Sequence, residues 1–336
     1  LNLCVLQRPG MRMPLQHSDK KLLTMTAETS LPRELLAAKA FFGSGHPLFR
    51  VFGIAMDDIT KDGAVMSMPC VEEVCDQQGK LHRGAIATLL DTACGLAIFV
   101  RLGDMRPIAT IDLRVDFIAN PEAGEGVACN VTCFAVEENI AYVRGEAFGR
   151  DGGNLLASVS GSFAIGTAGP SFDQSVNPSN KRAPSKKKTI DDEGIISFET
   201  ERVTALSTVV GDVSPYEKFL GMTASDDNGE ATYKMPFREQ HIGNPLIKTF
   251  HGGIIASFAE LVAGAHLTAN QTEKNKPVCS SMTLDYLRPA FAGTLVAKPN
   301  IIREGKRFIV VVVDVFLDGA QVSRGRFIYK RAFASS

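Results

Sequence analysis

The sequence predicts an α+β chain of two tandem domains, each an antiparallel sheet wrapped around a central helix. Three features carry that expectation: the length, an internal repeat, and one long apolar run in each repeat. At 336 residues the chain exceeds a usual single domain and suggests about two. Leu81-His82-Arg83-Gly84-Ala85-Ile86-Ala87 matches Phe250-His251-Gly252-Gly253-Ile254-Ile255-Ala256 at an offset of 169 (251 − 82). The same offset carries Asp91 onto Glu260, Val115-Asp116-Phe117-Ile118 onto Leu284-Asp285-Tyr286-Leu287, and Gly124 onto Gly293. Upstream, Met68-Pro69 matches Met235-Pro236 once two extra residues are allowed before the second histidine. A period this long marks a duplicated domain and not a solenoid.

The elements follow in the same order in each copy. Residues 1–28 read as a disordered or misassigned leader, 29–168 as the first domain, 169–192 as a flexible linker and 193–333 as the second domain. The linker is rich in Pro, Ser, Asn and Lys, with Lys186-Lys187-Lys188 inside it, a composition unable to bury enough apolar surface to order itself. A short helix is expected at Pro32–Phe42 in copy one and, weakly, at Thr204–Val210 in copy two. A strand ending at Met-Pro comes next, then the His-Gly motif and the apolar helix. Four strands close copy one, at Ile108–Ile118, Gly126–Glu137, Ala141–Gly149 and Leu155–Ile165. Copy two has them at Val278–Leu287, Thr294–Arg303, Arg307–Leu317 and Gln321–Lys330. The β-branched run Val310-Val311-Val312-Val313-Asp314-Val315 suits a sheet interior. A helix apolar on nearly every face needs cover on nearly every face, and a sheet curled around it supplies that cover. This is the hotdog arrangement.

Composition excludes several functions. With 36 Lys+Arg against 37 Asp+Glu the net charge is -1, so no broad basic field favours nucleic acid. Seven cysteines in no regular framework, with no signal peptide evident, point to free thiols in the cytoplasm. Neither Cys70/Cys75 nor Cys129/Cys133 has zinc-type spacing, and no metal or other cofactor is expected. The run Ala85–Val100 is short for a membrane span and contains Asp91, so no span is expected. Gly43-Ser44-Gly45 lacks the spacing of a dinucleotide fingerprint. A Gly-x-Ser-x-Gly nucleophile elbow is absent.

The histidine-glycine turn, an acid nine residues after the histidine, and a strand ending Asp285-Tyr286-Leu287-Arg288-Pro289 together resemble the PaaI-like hotdog acyl-CoA thioesterases, in tandem form. His241-Ile242-Gly243-Asn244-Pro245 is similar to that family too. The resemblance covers roughly residues 45–165 and 195–330, and implies hydrolysis of an acyl-CoA thioester to free acid and CoA. The residue types fit. A helix opening at Arg83-Gly84 or Gly252-Gly253 offers unpaired N–H groups to an oxyanion. Asp91 or Glu260 could activate water or attack the carbonyl directly. His82 and His251 are read as positioning their turns.

Geometry adds a constraint. Asp91 lies eight residues beyond Arg83, roughly 12 Å along its own helix. One carbonyl carbon cannot meet both, whereas an antiparallel partner helix would bring each acid to the other helix's start. The family likewise builds its sites across two hotdogs, so two crossed sites are expected. Site A would join Asn244, His251, Gly252 and Gly253 with Asp91 and Thr110, the last two residues' pairing being implied by the resemblance. Site B would join His82, Arg83 and Gly84 with Glu260 and Cys279. There Arg83 replaces a glycine, Cys279 replaces the hydroxyl, and Asp76 stands where many members have an asparagine, so site A is expected to carry most turnover. Asp116 and Asp285 are read as strand residues, and Arg288 as a surface ion-pair residue. His46 and His241 carry no assigned chemistry. Ile98, Phe99 and Phe258 could line the acyl pocket or fill core. A non-catalytic acyl-CoA-binding module is the main competing reading, followed by an enoyl-CoA hydratase or dehydratase. Assembly into homo-oligomers is left open.

Overall fold

A computed structural model describes residues 45–167, 204–205, 213–227, 230–270 and 277–331. The expected leader, the helix at 32–42 and the linker lie outside these residues. Two long helices dominate: α2 (Arg83–Leu102) and α4 (Gly252–Asn270). Each is covered by its own half of an antiparallel sheet, as the apolar pattern requires. In copy one the strands are β1 (Ala55–Ile59), β2 (Gly63–Met68), β3 (Ile108–Phe117), β4 (Val127–Glu137), β5 (Ile140–Gly149) and β6 (Leu155–Ile165). Copy two has β7 (Thr204–Ala205), β8 (Thr223–Asp227), β9 (Glu230–Pro236), β12 (Val278–Tyr286), β13 (Thr294–Glu304), β14 (Phe308–Leu317) and β15 (Ala320–Lys330). Between them β10 (Ile242–Asn244) and β11 (Thr249–Phe250) form a separate small ribbon before α4.

The two halves fuse into one 13-stranded sheet of order β1-β2-β4-β5-β6-β3-β12-β15-β14-β13-β9-β8-β7. The join is the antiparallel pair β3–β12, in which Arg114 faces Thr283 and Leu113 faces Leu284. Residues alternate in burial along strands such as β4, with Val127, Cys129, Val131 and Cys133 turned inward. Their inner faces clasp α2, whose residues from Gly84 to Asp91 are all buried. By length and composition α2 and α4 could each cross a membrane, yet most of each is enclosed by protein here.

Two short helices stand where the sequence reading expected none. In copy one the helix α1 is Pro47–Phe52, and in copy two α3 is Pro215–Leu220. The weak helix expected from Thr204 is a strand at Thr204–Ala205, and its remainder lies outside the described residues. Both short helices begin with proline, whose missing N–H costs nothing at that position. Both end on a left-handed glycine, Gly53 at φ 64 and Gly221 at φ 65. Each helix lies over the other copy: His46, before α1, bonds the Gly243 carbonyl at 3.0 Å, and Tyr216 of α3 stacks on His82.

Candidate active site

Helices α2 and α4 run side by side, and their approach is set by glycines. A Cβ on Gly253 would lie 2.5 Å from Thr88 Cα, and one on Gly84 would lie 2.9 Å from Ser257. Each helix start therefore presses against the second turn of the other helix. Thr88 and Ser257, themselves 169 residues apart, meet hydroxyl to hydroxyl at 3.2 Å. Ser257 Oγ lies 2.7 Å from the Gly84 and Gly253 carbonyls, and Thr88 donates to Gly84 O at 2.9 Å.

This packing brings Asp91 of copy one against the His-Gly-Gly turn of copy two. The Gly253 N–H donates to Asp91 Oδ2 at 2.7 Å, and the Thr110 hydroxyl donates to Oδ1 at 3.2 Å. A side chain at Gly252 would displace the carboxyl, because its Cβ would sit 2.8 Å from Asp91 Oδ2. Burial pushes the Asp91 carboxyl up to about 6, against the opposing pull of Gly253 and Thr110. His251 Nδ1 accepts from the same Gly253 N–H at 3.1 Å and lies 3.3 Å from Asp91 Oδ2. Its Nε2 is 3.2 Å from Thr92 Oγ1, whose one hydrogen goes to the Thr88 carbonyl at 2.7 Å. Thr92 therefore accepts, and His251 is a neutral Nε2–H imidazole. Burial holds it down to about 4, so it stays neutral near neutral pH.

Tyr286 is the residue the sequence reading did not single out. Its hydroxyl donates to the Gly252 carbonyl at 2.9 Å. That carbonyl belongs to the same peptide unit as the Gly253 N–H, so Tyr286 and Asp91 grip one amide from opposite ends. The signal was present in the Asp285-Tyr286 motif, but nothing in sequence says which carbonyl the phenol reaches.

Asn244 is also at the site, but its Oδ1 is occupied by the Leu246 N–H at 2.9 Å, a turn-stabilising bond. Its amide NH₂ is the part left for a ligand. Asp91, Thr110, Asn244, His251 and Gly252 all line one cavity of about 480 Å³, with Phe49, Phe99, Ile108 and Phe163 among its apolar walls. Phe99 thus lines it, whereas Ile98 and Phe258 are fully buried core. Arg288 stands at its edge and donates to the Gln321 carbonyl at 2.8 Å, replacing the ion pair expected for it. Asp116 pairs with Arg114 at 2.8 Å on the sheet surface. His241 is buried, with Nε2 3.3 Å from the Phe219 carbonyl, and its own carbonyl receives the His251 N–H at 2.9 Å.

The second crossed set lines a different cavity, of about 420 Å³. His82, Arg83, Glu260, Cys279 and Asp76 are all in its wall. His82 Nδ1 accepts the Gly84 N–H at 3.0 Å, repeating the His251 turn. The likeness ends there. Arg83 donates to Asn120 Oδ1 at 2.5 Å and lies over the Phe117 ring at 5.2 Å. Its Nη1 is buried without a hydrogen-bond partner among the described residues. Glu260 accepts from Tyr329 at 3.1 Å and is raised by burial to about 7, with Arg83 pulling the other way. Cys279 points to the Ser281 carbonyl at 3.6 Å and not to Glu260. Among the described residues no group of three or more His, Cys, Asp or Glu side chains is placed to hold a metal ion.

Comparison with known proteins agrees with this architecture. The family model of the thioesterase superfamily matches residues 78–155 and again residues 248–323. A candidate esterase of Pseudomonas aeruginosa is 26% identical over 101 residues, which is 30% of this chain and 74% of that protein. A candidate thioesterase from Novosphingobium aromaticivorans superposes with a TM-score of 0.56 at 12% identity, over 82% of this chain and 98% of that one. An acyl-CoA thioesterase II from Mycobacterium marinum gives 0.54 at 12% identity, over 84% and 97%. At such identity these structures speak to the fold, and the twice-matched model speaks to the family. The chain has a tandem hotdog fold, and both of its copies are similar to the thioesterase superfamily.

Proposed function

We propose that the protein hydrolyses an acyl-CoA thioester at the site built from Asp91, Thr110 and the His251-Gly252-Gly253 turn. The observation that carries this reading is a buried carboxyl, poised near pH 6, beside an open helix start and an apolar cavity. Water loses a proton to Asp91 as its oxygen bonds to the thioester carbon. The C–S bond then breaks, leaving the free acid and CoA, whose thiolate takes up the proton. A base working near neutral pH benefits from a pKa close to that range, which favours proton acceptance over direct attack by Asp91. Thr110 holds one carboxyl oxygen, and Gly253 holds the other.

The oxyanion donor on this reading is the Gly252 N–H. It has no backbone acceptor among the described residues, whereas the Gly253 N–H is already spent on Asp91. The Asn244 amide NH₂ lines the same cavity and is the second available donor. The other crossed set lacks this arrangement, because Arg83 fills the place of Gly252 and Cys279 does not reach Glu260. The chain's free cysteines fit a reducing compartment such as the cytoplasm.

The test is release of CoA thiol from a panel of acyl-CoAs. Asp91→Asn should lower turnover by about 10²–10⁴-fold, the usual share of a general base. Glu260→Gln should leave most turnover in place. Full activity in the double variant Asp91→Asn/Glu260→Gln would sink the assignment. Tight acyl-CoA binding with no turnover in the unaltered protein would identify a binding module instead.

A further inference from the structure

Resting on that reading, we infer that the Asp91 cavity takes an extended acyl chain of about ten carbons, and that Gly95 is the residue that admits it. Asp91, Gly95 and Phe99 follow one another at i, i+4 and i+8 on α2, so they form one stripe, and all three line the cavity. The facing wall comes from the start of β3 (Ile108) and the end of β6 (Phe163, Ala164). The polar groups cluster at the Asp91 end, and the walls beyond Gly95 are mainly apolar. That polarity matches a thioester carbonyl at one end and a hydrocarbon chain at the other.

A glycine in mid-helix costs about 1 kcal/mol relative to alanine, so its presence calls for a cause. Backbone conformation is not the cause, because Gly95 is not among the glycines with positive φ. Close packing is not the cause either. A Cβ at Gly95 would meet only Ile108 Cδ1, at an ordinary 3.6 Å, unlike those at Gly252 and Gly253. What the missing side chain leaves is open cavity. The duplicated copy repeats the device. Gly264 stands four residues after Glu260, lines the other cavity, and has only Tyr329 atoms near its Cβ position, from 3.4 Å outward. The copies differ one turn further on, where Phe99 has Thr268 as its counterpart, so only the Asp91 stripe ends on an apolar group.

The length follows from the helix. Eight residues from Asp91 to Phe99 span roughly 12 Å. An extended chain advances about 1.2 Å per bond, so about ten bonds fit between the reacting carbonyl and Phe99. A leucine at Gly95 would close the passage one turn below Asp91, roughly 6 Å in.

The experiment measures binding of non-hydrolysable alkyl-CoA thioethers of two to fourteen carbons by calorimetry, using the full chain. The wild type should bind more tightly with each added methylene up to about ten carbons, then level off. Gly95→Leu should bind the two-carbon analogue as the wild type does and gain nothing beyond about four carbons. At about 0.8 kcal/mol per buried methylene, its ten-carbon affinity should fall at least 100-fold. Gly95→Ala should keep the wild-type length profile, which separates blockage from loss of glycine flexibility. A wild-type length profile in a folded Gly95→Leu, or no length dependence in the wild type, overturns the inference. Thiol release from the matching acyl-CoAs is read alongside. Graded binding without release would sink the hydrolase reading and leave the pocket standing. Release with an unchanged Gly95→Leu profile would do the reverse.

Discussion

At the scale of single residues, the site depends on one peptide unit. The Gly252–Gly253 amide is fixed at its carbonyl by Tyr286 and at its N–H by Asp91. Removing the phenol takes away one hydrogen bond to a carbonyl that keeps its bond within α4, so Tyr286→Phe should cost about 0.5–1.5 kcal/mol of stability. It should also lower kcat more than it raises KM, because a tilted amide misaligns Asp91 while the phenyl ring keeps its place in the cavity wall. Steady-state kinetics on a single acyl-CoA, together with urea unfolding, would check both; an unchanged kcat would show that Tyr286 is only structural. The pH profile identifies the acid at work. A base must be ionised to act, so kcat should rise with pH through about 6 if Asp91 carries turnover, and through about 7 if Glu260 does. The acids and the glycines were legible because their spacing repeats and acids are conspicuous in apolar helices. The Tyr286 contact was not, since a phenol in a strand gives no sign of its partner across the domain. Asn244 shows the converse. Its turn bond follows from an Asn before a Pro, and that bond consumes the oxygen that sequence alone left unassigned.

At the scale of elements, the two helices crossing at Thr88 and Ser257 decide where each acid points. Gly253→Ala would drive a Cβ to 2.5 Å from the Thr88 backbone, which cannot yield as a side-chain tip can. Overpacking of that kind costs about 1–3 kcal/mol and would separate Asp91 from its turn. Gly253→Ala should therefore lower both the urea midpoint and turnover. Gly252→Ala meets the Asp91 carboxylate and the Thr110 hydroxyl instead, so it should cost activity with a smaller loss of stability. Equal stability losses in both would contradict this division of labour. The eight main strands were readable to within a residue or two of their ends, because alternation and β-branching persist over ten residues. The helices α1 and α3 were not read, although each carries Pro at its start and Gly six residues later (Pro47 to Gly53, Pro215 to Gly221). Six residues hold too few turns for an apolar period to show. Their caps were the available signal.

At the scale of the whole molecule, a pseudo-twofold axis passes where residues meet their own counterparts. Thr88 touches Ser257 between the helices, and Arg114 faces Thr283 in the β3–β12 join. The sequence offset foretold the helix pair but not the fusion of the sheets, since edge pairing leaves no mark in either strand. The two halves bury titratable groups on both sides of neutrality, and this sets how stability depends on pH. His46, His241 and His251 are held down to about 4 and His82 to about 3, chiefly by burial. In the unfolded chain all four would titrate near 6.5. Their contribution is present above pH 6.5 and is lost as pH falls toward 4. Asp91 and Glu260, raised to about 6 and 7, act in the opposite sense: their contribution is present below about pH 4 and is lost as pH rises through those values. Near pH 5.5 four imidazoles gain protons on unfolding while two carboxyls lose them, a net uptake of about two protons. Each proton is worth about 1.4 kcal/mol per pH unit, so stability should fall by about 3 kcal/mol per unit of acidification there. Stability should keep rising with pH, more gently above 6.5, and level off by about pH 8, where all six groups have the same charge folded and unfolded. Urea midpoints measured from pH 7.5 to 4.5 would show the slope, and a flat profile would rule out the buried neutral histidines. Asp91→Asn supplies the sharper check. It removes one of the two opposing carboxyls, so the uptake should grow toward three protons and the acid limb should become steeper. An unchanged limb in that variant would mean that Asp91 is ionised, not protonated, in the folded protein at pH 5.5.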